Sequence, residues 1–494
     1  MFLTTFLLII ALIFFTYYYL KCKYFTLKGP VPGLQPQFFF GNLLQTGILS
    51  GKPLFQVWSA FQQKYGDVFQ WYFGQQRVLL FNRIEHAQYI LGNRQLYDLS
   101  VLTEKTFGLL FPRSLLAIKG SMWKRHARVM LPMLKKAKIV PYLQTIVDCI
   151  DNLIQKWRDE SQNHLYTNIV NDAQDSLLNV IGIIAFDYDL KNSTMVHAFN
   201  DVISVSTTLI LLGGLPEFMG RLYLRFNSKY QRGLQLLRQH INDIIKQEQQ
   251  RIKNNGTENR RKNLVSLLVS SLVEDNEILN DDSKQGLTRD ELFDEVFLSV
   301  LGGFETSATT ISWFIYYMSK YPDIQQRIKQ ELRSKNITQY TVLTSELVDE
   351  LVYVDCVMKE LFRFAPVQPG VGRSAQEDDE IDGIKIKRGD VVLIGTHNIH
   401  HDKRVWSLDP DKFIPERFLQ EDKTYPPYAM LLFGAGHRAC AGQDLARFEL
   451  KLIIVRLMQF VTFIDGGKDN SGGYLQRITV IPKHLAVYMK FDTT

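Results

Sequence analysis

The segment Phe433–Gly442 (FGAGHRACAG) places one cysteine in a distinctive chemical context. Two glycines precede Cys440 and a third follows it, so the backbone can form a tight loop around the sulfur. A helix predicted to begin near Gln443 would direct the positive end of its dipole toward this loop. Such surroundings lower the pKa of a thiol and favour the thiolate. Cys440 is therefore a candidate metal ligand or nucleophile rather than an inert buried thiol, although His437, on the same loop, is a poor candidate base.

A second group of reactive residues lies inside an otherwise apolar segment. Thr288 and Glu291 form a capping-box pattern, and the helix that they open is predicted to run to about Lys320. Its centre contains the run 302–306 (GGFET). Two interior glycines cost about 2 kcal/mol relative to alanine, and a carboxylate in an apolar helix is unfavourable without a partner or water. A close helix crossing beside a surface glutamate would explain both features only by coincidence, so the run predicts a functional centre.

The cysteine loop resembles the haem-binding loop of the cytochrome P450 monooxygenases. The pattern Phe-x-x-Gly-x-Arg-x-Cys-x-Gly matches at all five specified positions, which are Phe433, Gly436, Arg438, Cys440 and Gly442. The resemblance implies that Cys440 is the axial thiolate ligand of the iron of haem b, a ligand that favours O–O cleavage. It also implies that Phe433 packs beside the sulfur and that Arg438 pairs with a haem propionate.

The same resemblance assigns roles to the centre of the long helix. In this family the corresponding helix crosses the oxygen-binding face of the haem. The glycine pair would let the helix widen to admit dioxygen, Thr306 would hydrogen-bond the bound oxygen, and Glu305 would deliver protons through water. Thr306 and Glu305 are therefore the predicted catalytic residues.

Four further residues fit motifs that support the haem and its loop. Glu360 and Arg363 form an i, i+3 pair on a predicted helix, and Arg417 lies in the run FIPERF at 413–418. In the family this triad forms a buried network that supports the cysteine loop, a structural rather than a catalytic role. Arg373 falls where relatives offer another partner for a propionate.

One position departs from the family pattern. Relatives usually carry Trp-x-x-x-Arg in an early helix, with both side chains on propionates, whereas Ala127 stands four positions after Trp123. Trp123 is predicted to keep its role. His126 shares nearly the same helix face and could replace the arginine, while Arg128 is rotated about 140° away. The partner of Trp123 is left open.

Two other charged groups allow less specific interpretations. Lys124, Arg125 and Arg128 form either a solvated helix face or a docking patch for an acidic redox partner. Three histidines within 397–401 suggest zinc, but no acid or cysteine accompanies them at the usual ligand spacing. No metal site is predicted there.

Local patterns predict a mainly helical α+β fold, the cytochrome P450 fold, with a smaller β-rich part built from both ends of the chain. No internal repeat is present. The main predicted elements are a helix at 55–65, a hairpin over 67–82, a mostly helical stretch from 136 to 321 with a polar loop at 253–263, a type I′ turn at Asp382-Gly383 and a helix at about 443–460.

The composition of the 494 residues limits the class of protein. A hydrophobic content of 46% indicates a globular body and excludes a disordered or collagen-like chain. No Pro/Ser/Gly-rich linker follows residue 34, so one large body is predicted instead of the three domains that length alone suggests. The net charge of +6 gives nucleic acid binding no support. Four cysteines are too few for a disulfide scaffold and indicate a reducing compartment.

Two apolar segments predict contact with a membrane. Residues 2–20 carry no charge and would form a helix of about 28 Å, close to the roughly 30 Å of a bilayer core. A cleaved signal peptide would need a basic start and small residues at the cut, which this segment lacks. Lysines follow it and none precedes it, so the body is predicted to be cytosolic. We expect a single-pass signal anchor at 2–20 and a basic, Pro/Gly-rich hinge at 21–33. The catalytic domain then spans 34–494, and the resemblance to microsomal members implies the endoplasmic reticulum membrane. The segment 209–226 is either core or a second membrane contact.

The resemblance predicts a monooxygenase that inserts one oxygen atom from O2 into a hydrophobic small molecule. No dinucleotide- or flavin-binding fingerprint is present, so electrons would come from NADPH through NADPH–cytochrome P450 reductase, with cytochrome b5 left open as a second donor. The alternatives are a P450-fold isomerase or peroxygenase, which needs no reductase, and a non-catalytic haem sensor or electron carrier. Glu305 and Thr306 argue against the first alternative. No histidine or methionine stands at 302–306 to fill a second axial position, which argues against an electron carrier.

Overall fold

The computed structural model describes residues 2–162, 164–186, 193–212, 216–255, 264–272 and 286–492 of the chain. Helices predominate, as predicted. The α-helices of these residues are α1 Phe2–Tyr24, α2 Leu54–Tyr65, α3 Ile84–Gly92, α4 Val101–Gly108, α5 Gly120–Met130, α6 Lys136–Ile139, α7 Leu143–Ser161, α8 Ile169–Phe186, α9 Ser193–Leu212, α10 Glu217–Phe226, α11 Ser228–Asn255, α12 Leu264–Ser270, α13 Arg289–Lys320, α14 Pro322–Ser334, α15 Ser345–Asp349, α16 Val352–Phe364, α17 Thr396–His400 and α18 Gln443–Phe460.

The strands form a smaller part of the fold. A five-stranded sheet has the order β1-β2-β7-β4-β3, and three two-stranded sheets pair β10 with β9, β11 with β8 and β5 with β6. The strands are β1 Val68–Phe73, β2 Gln76–Phe81, β3 Tyr97–Leu99, β4 Val371–Ala375, β5 Asp379–Ile381, β6 Ile384–Ile386, β7 Val391–Ile394, β8 Val461–Asp465, β9 Gly472–Gln476, β10 Val480–His484 and β11 Val487–Phe491.

Helix α13 runs through the main hydrophobic core. The predicted capping box is present, since the Thr288 hydroxyl accepts from the Glu291 backbone N–H and the Glu291 carboxylate accepts from the Thr288 backbone N–H. These bonds satisfy two of the N–H groups that a helix start leaves unpaired. The helix has 32 residues and is therefore about 48 Å long. Most of its side chains are buried against other helices, among them α8 and α18.

The five-stranded sheet joins the two ends of the chain, as predicted. Strands β1 and β2 form an antiparallel hairpin, and β2 then pairs in parallel with β7, so that Val78 lies opposite Val391. The turn between β5 and β6 has positive φ at both Asp382 and Gly383, the geometry of a type I′ turn. This local prediction is confirmed.

Two predicted segments differ in extent from the structure. Helix α1 continues to Tyr24 and so includes Lys21 and Lys23, because nothing in the sequence stops a helix before the prolines at 30 and 32. No residue of α1 is buried, and it is the one helix of the described residues long and apolar enough to cross a membrane. In the loop predicted at 253–263, the first three residues belong to α11, and the remainder lies outside the described residues.

Candidate functional site

The cysteine loop is a closed backbone turn that requires glycine. The Cys440 N–H donates to the Phe433 carbonyl over 2.8 Å. Gly434 and Gly436 both have positive φ, and a Cβ atom at 436 would lie 2.0 Å from the backbone oxygen of Leu91. Any other residue at 436 would therefore displace α3 or open the loop. The last glycine of the motif, at 442, is the N-cap of α18.

The Cys440 side chain is accessible but closely surrounded by protein. Desolvation by the surrounding protein atoms raises the pKa of its thiol. The backbone N–H of Gly442 acts in the opposite direction. The glycine loop and the helix dipole predict a lowered pKa for this thiol, and that prediction is wrong for the protein alone because desolvation outweighs both.

One turn of α13 has accessible surface within a buried helix. Gly302, Gly303 and Thr306 are accessible, whereas Phe304 and Glu305 between them are buried. A Cβ atom at Gly302 would meet no atom within 4 Å, whereas one at Gly303 would lie 2.8 Å from the Ile181 side chain. The two glycines therefore have different surroundings: Gly303 allows close packing on α8, and Gly302 borders open space.

The two predicted catalytic side chains have different partners. The Thr306 hydroxyl donates to the Gly302 carbonyl over 2.8 Å. The Glu305 carboxyl accepts a hydrogen bond of 2.6 Å from the Thr479 hydroxyl, and its other oxygen has no partner among the described residues. Burial raises the pKa of Glu305 to about 7, against the lowering effect of Thr479. Nothing in the sequence points to Thr479, because it lies more than 170 positions from Glu305.

A hydrogen bond links this turn of α13 to the helix that follows the cysteine. The Ser307 hydroxyl donates to Glu449 of α18 over 2.5 Å. Both residues are buried, and burial raises the pKa of Glu449 to about 8. The turn of Thr306 is therefore fixed relative to the helix that begins three residues after Cys440.

Two arginines lie beside the cysteine loop. The Arg438 guanidinium lies 4.5 Å above the Trp123 ring, and its Nε donates to Asp98 over 2.8 Å. Arg373 is only 4% exposed and donates to the backbone oxygens of Gly372 and Ala435. Its Nε atom has no partner, and no carboxylate pairs with it among the described residues. Burial and then the charge of Arg438 lower the pKa of Arg373 to about 10.

This arrangement fits a ligand that carries carboxylates. A buried guanidinium without a carboxylate partner is costly unless a bound anion compensates it. A haem propionate would supply that charge next to the cysteine loop. The residues present therefore fit haem, because the buried Nε of Arg373 has no partner and a propionate could accept from it.

Asp98 is a contact of the site that the sequence did not reveal. Its carboxylate accepts from Arg438 and lies 3.0 Å from the Nε2 atom of His437. Burial raises the pKa of Asp98, but these bonds outweigh burial and lower the pKa to about 2. The sequence offers only one local signal, an acid between the apolar residues Tyr97 and Leu99.

The structure places the basic residues of α5 in two environments. His126 is buried, with its Nδ1 atom 2.7 Å from Glu295, and Arg125 makes two hydrogen bonds to Glu291. His126 therefore faces carboxylates of α13, and Arg438 is the cation that contacts Trp123. Arg125 is buried against α13 and cannot be part of the predicted docking patch, whereas Lys124 and Arg128 are exposed.

Glu360, Arg363 and Arg417 form one fully buried cluster. Two hydrogen bonds of 2.8 Å join Arg363 to Glu360, and the Arg417 Nε lies 3.1 Å from the same carboxylate. Phe433 of the cysteine loop packs edge-on against Phe362, a neighbour of this cluster on α16, at 5.5 Å between ring centroids. The structure thus brings the three predicted network residues together.

The three histidines at 397–401 form a neutral cluster. The rings of His397 and His401 lie 4.1 Å apart, and burial lowers the pKa of His401 to about 4. In the part of the chain that the structure describes, no group of three or more His, Cys, Asp or Glu residues could hold a metal ion.

A loop cysteine next to a buried arginine that lacks a carboxylate partner, Arg373, is the combination expected for a protein of the haem-thiolate class. Comparison with known proteins gives the family. Residues 31–471 match the family model for Cytochrome P450, and the chain belongs to the cytochrome P450 family. At the family level it is therefore a monooxygenase, an oxidoreductase whose cofactor is haem.

The alignments with three similar proteins cover most of this chain and most of each relative. Cytochrome P450 3A12 of Canis lupus familiaris is 26% identical over 443 residues, which cover 88% of this chain and 86% of the relative. Cytochrome P450 3A17 of Cavia porcellus is 25% identical, with 92% and 90% covered. Cytochrome P450 3A27 of Oncorhynchus mykiss is 25% identical, with 93% and 88% covered.

Proposed function

We propose that this protein is a membrane-anchored monooxygenase that inserts one oxygen atom from dioxygen into a hydrophobic small molecule. Electrons come from NADPH through a separate NADPH–cytochrome P450 reductase, with cytochrome b5 as a second candidate donor. The observation that carries the proposal is the orphaned, buried Arg373 beside the cysteine loop, because it calls for an anionic group at the position where a haem-thiolate protein holds haem.

Five residues are proposed to hold haem. Cys440 binds the iron, and the cation favours the thiolate that the protein alone disfavours. Arg438 and Arg373 pair with the propionates, and Trp123 supports Arg438 through its ring face. Phe433 packs beside the loop. Haem, when bound, supplies the activation of dioxygen and the transfer of one oxygen atom.

Thr306 and Glu305 are proposed to move protons. The Thr306 hydroxyl lies on the accessible turn of α13, where it can donate or accept. A carboxyl with a pKa of about 7 is close to half-protonated at neutral pH, which is the best condition for taking and giving protons. The partner Thr479 holds Glu305 in place at the edge of that turn.

Replacing Thr306 by alanine is expected to divert NADPH-derived electrons to hydrogen peroxide. Without the hydroxyl, proton delivery to oxygen loses its last donor, and product formation should fall by about 10²-fold. The measurement compares product and peroxide formed per NADPH, with purified reductase and an apolar compound chosen by the spectral shift that it causes on binding. Thr306→Ser keeps the hydroxyl and should stay coupled. Unchanged coupling in Thr306→Ala would remove Thr306 from the mechanism.

Helix α1 is proposed to anchor the catalytic domain, residues 34–494, to the cytosolic face of the endoplasmic reticulum membrane through residues 25–33, the part of the predicted hinge at 21–33 that lies outside α1. The lysines that follow the apolar residues favour this orientation. Helix α10 supports a second contact with lipid: Phe218, Leu222 and Phe226 lie four positions apart on one face and are 66%, 52% and 76% exposed. Exposed apolar side chains in that arrangement suit a membrane surface.

Truncation after Tyr24 is expected to leave part of the protein on membranes. Phe25 is buried in the body, so the cut removes α1 without opening the core. Adding Phe218→Ser, Leu222→Ser and Phe226→Ser should complete the release, because each apolar side chain contributes roughly 1.5–3 kcal/mol when buried in lipid. Vesicle flotation measures the bound fraction.

The control for this experiment is Val342→Ser in the truncated protein, since Val342 is 73% exposed but lies on another part of the chain. It should leave vesicle binding unchanged. Complete release by truncation alone would contradict the second contact.

A further inference from the structure

The buried network of Glu360, Arg363 and Arg417 has no direct hydrogen bond to the cysteine loop among the described residues. Beyond Glu360, the two guanidinium groups donate to Asp422 and to five carbonyls of the segment 400–412. Those carbonyls belong to His400, Leu408, Asp409, Pro410 and Lys412. Apart from the packing of Phe433 on Phe362, a polar connection between the network and the loop therefore requires another group.

His400 has the geometry for that connection. Its Nε2 atom accepts a hydrogen bond of 2.9 Å from the backbone N–H of Leu431, and its Nδ1 atom lies 3.1 Å from the Arg363 carbonyl. A backbone N–H can only donate, so Nε2 carries the lone pair and Nδ1 carries the proton that it donates to Arg363. The Arg363 guanidinium in turn donates a hydrogen bond of 2.7 Å to the His400 carbonyl.

Leu431 is the residue from which the loop starts. It is buried, and its carbonyl accepts from the Gly434 N–H over 2.9 Å. The Phe433 carbonyl then accepts from the Cys440 N–H. Three hydrogen bonds, linked through the backbone of residues 431–434, therefore connect the His400 ring to the cysteine.

The His400 imidazole also stays neutral, the form in which Nε2 can accept a hydrogen bond. Burial, with the nearby His401 and Arg363, lowers the pKa of His400 to about 3. The ring is therefore neutral at physiological pH, and Nε2 remains an acceptor. A solvated histidine would lose this acceptor as the pH fell toward 6.

We propose that His400 is a positioning residue that couples the Glu360–Arg363–Arg417 network to the Cys440 loop. The two bonds of its ring fix the backbone at Leu431, and so they fix where the loop begins. This inference deepens the proposed function and rests on it, since it concerns the geometry of the cysteine that would bind haem.

The test compares His400→Phe with His401→Phe. The first variant keeps the ring volume but leaves the Leu431 N–H without an acceptor. The second removes the neighbouring histidine, whose Nδ1 atom lies 3.0 Å from the His397 carbonyl and which makes no bond to the loop. Under mild urea, the thiolate-type band of the ferrous–CO complex should be lost about 10- to 100-fold faster in His400→Phe than in wild type. In His401→Phe it should be lost at the wild-type rate.

Two further readouts separate positioning from general stability. The far-UV circular dichroism of His400→Phe should persist while the band is lost, and hydrogen exchange of the Leu431, Gly434 and Cys440 amides should speed up even without haem. Equal rates of band loss in all three proteins, or band and circular dichroism lost together, would overturn the inference.

A second variant covers the case in which His400→Phe does not fold. His400→Gln keeps a donor and an acceptor, so it should restore folding and part of the lifetime of the band. Failure to restore either would also overturn the inference. Wild-type protein that lacks the thiolate band would instead overturn the proposed function.

Discussion

Replacing Cys440 by alanine is expected to abolish the red-shifted, thiolate-type Soret band of the ferrous–CO complex, together with monooxygenase activity. The loop offers no other thiol: Cys149 and Cys356 are buried elsewhere, and Cys22 lies near the end of α1. The spectrum should be measured on protein whose far-UV circular dichroism matches wild type, because the loop backbone does not depend on the sulfur.

The control for this substitution is Cys356→Ala. Burial raises the pKa of the Cys356 thiol to about 11, so it is inert, and its loss should affect packing but not the spectrum. A thiolate-type band that survives in folded Cys440→Ala, or a histidine-type band in folded wild-type protein, would contradict the assignment of Cys440.

Replacing Glu360 by alanine is expected to lower the free energy of unfolding by about 3–5 kcal/mol, because it leaves the buried Arg363 guanidinium without a carboxylate and Arg417 with Asp422 alone. The backbone N–H of Ile414, which donates to Glu360 over 2.8 Å, would also lose its acceptor. Typical proteins have only about 5–15 kcal/mol of stability, so the urea midpoint should fall sharply. Circular dichroism of the haem-free protein is a sufficient measurement.

Glu350→Ala is the matched control for Glu360→Ala. Glu350 also pairs with a cation, Lys335 at 2.9 Å, but both side chains are largely exposed. Exposed pairs contribute about 0–1 kcal/mol, so this substitution should barely move the urea midpoint. Similar losses in the two variants would contradict the stabilising role of the buried network.

Features with local causes could be predicted from the sequence. The capping box at Thr288 set the start of α13, and α18 begins and ends where the pattern at 443–460 indicated. The loop glycines at 434 and 436 followed from the cysteine motif, because glycine has no Cβ and adopts positive φ at little cost. These signals act within a few positions, and folding does not alter them.

Features that depend on distant residues could not be predicted. Asp98 reaches Arg438 and Thr479 reaches Glu305 only because sheet and helix pack together. Arg125 was assigned to a surface face because a helix pattern does not reveal which neighbour covers it. The error in the Cys440 pKa has the same origin, since desolvation depends on the whole surrounding body.

The pairing of β2 with β7 sets the order of events while the chain is made. Val78 finds its partner Val391 only after about 310 further residues have left the ribosome, which takes roughly 16–60 s at ordinary rates of synthesis. During that time the hairpin of β1 and β2 has an unpaired edge, a template for wrong pairing. Helix α1 precedes the hairpin in the chain, so in the proposed anchored state it would hold the unpaired hairpin beside a lipid surface and away from other chains in solution.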